Sequence, residues 1–294
     1  MIDGPALSLV ITAANAKVIA AHALLQTTNQ VNMLGSAGPL VALANGGVVN
    51  ANSLKTAQPC SAGGYVLVTG AIAGTAGLNT GDTVQSSYQN CRILANGRSA
   101  VYLDGSATQA VTSGSASAIP FQITLTGGLN NVRIGTLQSD GALARTHTLT
   151  GNEQLEWTAA SAASQTWSIS GTTLTNKSTA GTIVRMDNWG AYRQTVVIAA
   201  GDISYSLHAL VNSDNTQLGA NGSIYMLRTV TPLVTNATTG LLSAGAVEVD
   251  GNSNAKLYVT IGASGVVSLF VDANGDGRYE TIVSTTTSEL STLP

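Results

Sequence analysis

Near the C-terminus, oxygen-bearing side chains stand at the spacing of a calcium loop. In Val271-Asp272-Ala273-Asn274-Gly275-Asp276-Gly277-Arg278-Tyr279-Glu280, Asp272, Asn274 and Asp276 fall at loop positions 1, 3 and 5, Gly277 at position 6 and Glu280 at position 9. A hard cation takes carboxylate and carbonyl oxygens, and a glycine at the sixth position lets the chain turn sharply around it. Position 12 is Val283, where an EF-hand has a bidentate carboxylate, and the flanks read as strands. A hairpin turn built on Asn-Gly and Asp-Gly is therefore the competing reading. Asp250-Gly251-Asn252-Ser253-Asn254 carries one carboxylate and is a weaker candidate.

Cys60 and Cys91 are the only cysteines. They bracket a segment that reads as one hairpin, Tyr65 to Thr69 and Thr83 to Tyr88, with glycines between. If the two cysteines face each other across the antiparallel ladder, Tyr65 pairs with Ser86 and Thr69 with Asp82. The chain then reverses between Thr75 and Ala76, where the glycines predict a turn. A disulfide closing this loop stabilises the fold by roughly 3.5 kcal/mol in the chain-entropy account. It also implies an oxidising compartment. Two distant thiols are too few for a metal site.

The remaining reactive side chains form no catalytic pattern. His22, His147 and His208 are scattered, no G-x-S-x-G elbow occurs, and the chain is not expected to be an enzyme. Glu153 and Glu156 have the residue types of a glycosidase pair, but three apart on a strand they point to opposite faces and read as solvated charges. Trp157, Trp167, Trp189 and Tyr192 can either stack on sugar rings or fill a core. Three Asn-x-Ser/Thr sequons are what chance gives in a chain this rich in those residues.

Charged residues make up 9% of the 294 residues, against about 25% in an ordinary soluble domain. Ser, Thr, Asn, Gln and Gly take their place at the surface, and a net charge of -3 leaves little repulsion between copies. Lysine, which guards strand edges in many proteins, occurs only at Lys17, Lys55, Lys177 and Lys256. These features favour self-association. No basic stripe exists to bind nucleic acid. Aromatic content of 4% is too low for the girdles of an outer-membrane barrel. The apolar stretch Ala6 to Leu25 is broken by Asn15, Lys17 and His22, so no transmembrane span is expected. An exported chain would have lost its leader, with Met1 in its place.

The elements that must position these residues are mostly strands. Ala6 to Ile11 predicts a short strand with Leu7, Leu9 and Ile11 on one face. Thr12 then caps a helix from Ala13 to about Thr28, with Ala14, Val18, Ala21 and Leu25 on its apolar side and Lys17 and Gln26 toward water. Gly35 to Ser53 reads as loop. Asn96-Gly97 predicts a type I′ hairpin, Gly127-Gly128 a turn between Phe121-Thr126 and Val132-Leu137, and Ser113 to Ser117 a flexible connection. In Lys256 to Ile261, strict alternation sends Leu257, Val259 and Ile261 inward. The fold class that follows is mainly β, antiparallel and sandwich-like, with one N-terminal helix. The expected organisation is an N-terminal strand and helix over 1–35, a β domain with the disulfide over 36–145, and a second β domain over 146–294.

Cys60-Ser61-Ala62-Gly63-Gly64-Tyr65, Gly81-Asp82-Thr83, Tyr88-Gln89-Asn90-Cys91 and the Val271 to Glu280 segment together resemble a group of uncharacterised exported or lipoprotein-like proteobacterial β-rich proteins. The resemblance covers about a tenth of the chain. It implies a location at the bacterial envelope or exterior and brings no active site. The expected function is a secreted or cell-surface structural protein. It would assemble with copies of itself into a filament or surface layer, and in the sharpest version Leu7, Leu9 and Ile11 insert as a strand into the next copy, the favoured competing reading being that this strand pairs within its own domain. The alternative is a monomeric envelope module that binds a glycan or another ligand.

Overall fold

A computed structural model describes residues 6–30, 57–73, 77–95, 99–116, 118–137, 143–161, 164–196, 203–236 and 241–293. The loop expected over Gly35 to Ser53 and the turn at Asn96-Gly97 lie outside these residues. The chain is mainly β, as expected, and the fourteen strands among the described residues are ordered as in the sequence, each antiparallel to its neighbour. The chain divides into two compact units, one formed by residues 32–183 and the other by 1–31 with 184–294.

The first unit contains β1 (Ala57–Pro59), β2 (Tyr65–Ala71), β3 (Thr83–Ala95), β4 (Ser99–Ser115), β5 (Phe121–Leu137), β6 (Leu143–Ser161) and β7 (Ser164–Ser178). The domain boundary expected near residue 145 falls inside β6. Along that strand Leu149, Glu153, Leu155, Trp157 and Ala159 are buried while Asn152, Gln154, Glu156 and Thr158 are exposed, the period of two of a sheet with one covered face. The predicted β3–β4 pairing is present, with Leu94 opposite Ala100 and Ala95 opposite Ser99.

Gly127-Gly128 is not a turn. Both glycines lie within β5, which pairs along its length with β4 and β6. A Cβ at Gly127 would stand 1.9 Å from the Thr108 carbonyl oxygen, so glycine serves here to let a neighbouring backbone approach closely. Ser113 to Ser115, read as a flexible connection, likewise belong to β4.

The disulfide Cys60–Cys91 is formed, with Cα atoms 5.5 Å apart, but the expected register is displaced. Tyr65 pairs with Gln89, not Ser86, and Thr69 with Gln85, not Asp82. The reason is that Cys60 is not opposite Cys91 in any ladder. It sits in the tight turn between β1 and β2, where Gly63 and Gly64 have φ of 113° and 71°, and that turn brings it back over β3. Ala62 N–H donates to Arg92 O, and Arg92 N–H donates to Gly63 O, which holds the turn against Cys91.

The second unit contains β8 (Ile183–Val196), β9 (Ile203–Ser213), β10 (Ser223–Thr235), β11 (Leu242–Asp250), β12 (Lys256–Ile261), β13 (Val266–Asp272), β14 (Thr281–Thr286), helix α1 (Ala16–Leu25) and a single turn α2 (Thr287–Leu290). Leu257, Val259 and Ile261 point inward, as expected, and Val267, Leu269 and Val271 join them in the core.

At the N-terminus the structure departs from expectation in two ways. Residues 6–12 do not form the expected strand and pair in no ladder. Ser8 and Leu9 donate their N–H groups to Ile224 O, and Asn252 N–H donates to Leu9 O. Leu9 and Ile11 are 0% and 1% exposed, while Leu7 is half-buried. The segment therefore packs within its own unit. Burial of an aliphatic side chain of this size stabilises by about 2 kcal/mol.

Helix α1 starts at Ala16, later than expected, because Thr12 and Asn15 bond each other. Thr12 N–H donates to Asn15 Oδ1 at 2.9 Å, and Asn15 Nδ2 donates to Val10 O at 2.8 Å. Leu25 is exposed and Gln26 buried, the reverse of the expected faces. Small alanines at 16, 20, 21 and 23 let nearly the whole circumference be buried, so an apolar stripe does not mark the inner face.

Candidate functional site

The calcium-type loop leaves β13 at Asp272, which is 1% exposed. Its two carboxylate oxygens accept hydrogen bonds from Gly275 N–H at 2.7 Å and Gly277 N–H at 2.9 Å. Gly275 and Gly277 take φ of 74° and 85°, which only glycine adopts without strain. The Asn274 side-chain oxygen accepts from Asp276 N–H at 2.9 Å. Asp276 Oδ1 accepts from Arg278 N–H at 2.8 Å, and Glu280 Oε2 from Ala273 N–H at 3.1 Å.

This ring of hydrogen bonds draws carboxylate oxygens of Asp272, Asp276 and Glu280 within 4.8 Å of one another. It is the one such grouping of acidic, histidine or cysteine side chains among the described residues. Three carboxylate oxygen donors at this separation could hold a metal ion. Asn274 lies in the same loop, but its oxygen is taken by the Asp276 backbone and its amide nitrogen faces Asp276 Oδ2 at 3.4 Å.

The loop is laid against an aromatic face. Tyr258 on β12 opposes Phe270 on β13, and Phe270 opposes Ile282 on β14. Tyr279, in the loop, stacks on Tyr258 with ring planes 29° apart and meets the Phe270 ring edge-on at 5.9 Å between centroids. Ile282 is 62% exposed and Tyr279 41%. Period-two alternation fixes this arrangement, because Leu257, Val259, Leu269 and Val271 take the inner face and leave Tyr258 and Phe270 on the outer one.

Across the same face the row continues through Glu248 on β11 to Arg228 on β10. Arg228 pairs with Glu248, and Lys256 reaches Glu248 at 3.2 Å and Asp250 at 3.4 Å. Burial opposes the charge on Glu248, but hydrogen bonds from Arg228 and Lys256 outweigh it and hold the carboxyl below its ordinary range. Burial and the neighbouring Glu248 push Asp250 upward.

The other expected candidates are distributed differently. Trp157 and Trp189 are 5% and 1% exposed and are core residues, so neither belongs to a sugar platform. The side chains of Trp167 and Tyr192 lie outside those described. His22 is buried on α1, its Nδ1 2.7 Å from the Tyr225 hydroxyl, and burial lowers its pKa to about 4. His147 lies 3.0 Å from Asn176 Oδ1, and His208 is exposed on β9.

Glu153 and Glu156 do stand on opposite faces, but Glu153 is not solvated. It is 5% exposed, on the inner face of β6, and accepts a hydrogen bond from Gln109 Nε2. The sequence signal was present, since Leu149, Glu153, Leu155, Trp157 and Ala159 share one parity. A comparison with protein-family models, curated proteins and solved structures finds no match for this chain.

Proposed function

We propose that this chain is an exported structural protein that associates with copies of itself through the edge strand β14. The observation that carries the reading is the open edge. Among the described residues β14 pairs on one side only, with β13. Its sequence, Thr281-Ile282-Val283-Ser284-Thr285-Thr286, contains no charge and no proline. Unpaired strand N–H and C=O groups are a template for another strand, and this strand carries neither the lysine nor the proline that commonly guards an edge. The other end of the sheet differs, because β1 has three residues and finishes at Pro59.

Antiparallel pairing of β14 with β14 of a second copy is a self-complementary, two-fold contact, from which larger assemblies grow by further contacts. Leu9 and Ile11 are engaged within their own unit, so the assembly strand of this proposal is β14 in place of residues 6–12. The disulfide supports a secreted or cell-surface location, because such bonds persist in oxidising compartments. No helix among the described residues is long and apolar enough to cross a membrane. Sedimentation of the native chain beside Ile282→Lys, which sets a charge on the edge, tests the proposal.

A second reading has its own support. Tyr258, Phe270, Tyr279 and Ile282, bordered by Arg228, Glu248 and Lys256, combine an aromatic surface with polar groups at its rim, the pairing that carbohydrate rings and their hydroxyls fit. Calorimetric titration with neutral oligosaccharides separates a glycan-binding module from a purely structural one. In either case calcium held by Asp272, Asp276 and Glu280 would neutralise the loop and brace the start of β14.

A further inference from the structure

Gln109 on β4, Gly127 on β5 and Glu153 on β6 lie opposite one another in a single row. Gly127 has no side chain, and its missing Cβ would come within 2.8 Å of Gln109 Cγ. The Gln109 side chain therefore passes over β5 and reaches Glu153 on the strand beyond. Both side chains are almost fully buried, at 2% and 5% exposure.

Between them one hydrogen bond is made, from Gln109 Nε2 to Glu153 Oε1. Glu153 Oε2 and Gln109 Oε1 are both buried without a hydrogen-bond partner, and both are acceptors when the carboxyl is ionised. An unmatched pair of buried acceptors is unfavourable, and a single proton on Oε2 turns one of them into a donor.

We infer that Glu153 keeps its proton in the folded protein and closes a reciprocal acid–amide pair with Gln109, in which the Gln109 amide donates to Oε1 and the Oε2 hydroxyl donates to Gln109 Oε1. The pair is a pH-sensitive latch joining β4 to β6 across Gly127. Ionisation removes the hydroxyl donor and sets a carboxylate against an amide oxygen in an apolar interior.

The titratable group facing the latch is Tyr88 on β3, whose phenol stays neutral because burial, and to a lesser degree the Glu153 carboxyl, oppose its charge. Gln109 on β4 and Gly127 on β5, which share the row with Glu153, and Leu155 two residues further along β6 do not titrate. Burial raises the Glu153 carboxyl from 4.5 to about 7, and the Gln109 hydrogen bond offsets part of that rise. A carboxyl whose folded pKa is raised contributes fully below its unfolded pKa and loses that contribution as pH climbs through the folded value. The first unit is thus held most firmly in mild acid and eases as the medium becomes neutral.

The test is a carbon NMR titration of the Glu153 side-chain carboxyl in the full chain, assigned by its disappearance in Glu153→Gln. The expected midpoint is about 7. A midpoint in the ordinary carboxylate range overturns the latch. Urea unfolding followed across the same pH range gives an independent reading, because Gln at 153 preserves a reciprocal amide–amide pair that cannot titrate. The stability of the native chain relative to the variant is expected to fall as pH rises from 4.5 to 7, the His22 contribution being common to both; a difference that does not change with pH overturns the proposal.

Discussion

Tyr279 stacks on Tyr258 with their centroids 6.4 Å apart, and this contact ties the acidic loop to the outer face of the sheet. Tyr279 lies one residue before Glu280 and two before the start of β14, so a single aromatic side chain orders both a carboxylate and the edge strand. Tyr279→Ala is expected to destabilise the second unit by about 1 kcal/mol, the worth of an aromatic pair. It should also weaken binding of added calcium, measured by calorimetry. Asp276→Asn should abolish that binding with little effect on the fold. Asp272→Ala should also unfold the loop, because two backbone N–H groups lose their acceptor at about 1–3 kcal/mol in total.

Reduction of the disulfide, or Cys60→Ser with Cys91→Ser, is expected to lower the stability of the first unit by roughly 3.5 kcal/mol. Because Cys60 lies in a turn and not in a ladder, the β2–β3 register should survive the change. Urea midpoints with and without reductant give the first quantity. Unaltered cross-strand NMR contacts between Val66 and Tyr88 would confirm the second.

The second unit should respond to acid in the opposite sense to the latch of the first. His22 is buried against Tyr225 and its pKa is lowered by burial from 6.5 to about 4. The unfolded chain therefore binds a proton that the folded one refuses. Stability is full above pH 6.5 and falls by about 3 kcal/mol as pH drops through 4. Amide exchange of α1 against pH measures this directly, and protection that stays constant from pH 7 to about 4 would contradict the burial argument.

The legible parts of the sequence were those governed by strict alternation and local turn chemistry. Leu257, Val259 and Ile261 point inward because every second residue of a half-covered strand must, and the Asp272 loop follows from its glycines and short acidic side chains. Gly127-Gly128 misled because a glycine pair signals a turn and a close backbone approach equally well, and only the neighbouring strand distinguishes them. The same parity rule that placed Leu257 inward places Glu153 inward, but a general preference for solvated carboxylates overrode it. The Cys60–Cys91 register was displaced because a disulfide fixes proximity without fixing opposition. Tyr258, Phe270, Tyr279 and Ile282 come together through pairings of three strands, a long-range juxtaposition that no short motif announces.

Leu9, with no exposed surface, also changes how assembly must be probed. Removing residues 1–12 would strip the second unit of core contacts, so a loss of assembly in that deletion would not separate assembly from folding. The edge strand gives a cleaner variant, since Ile282 is 62% exposed and its replacement leaves the core intact.

Analytical ultracentrifugation of the native chain and of Ile282→Lys, over a hundredfold range of concentration, tests the central claim most directly. The native chain is expected to sediment as a dimer or larger species whose share rises with concentration, and the lysine variant as a folded monomer. A native chain that stays monomeric at the highest concentration, or a variant that associates equally well, would contradict assembly through β14.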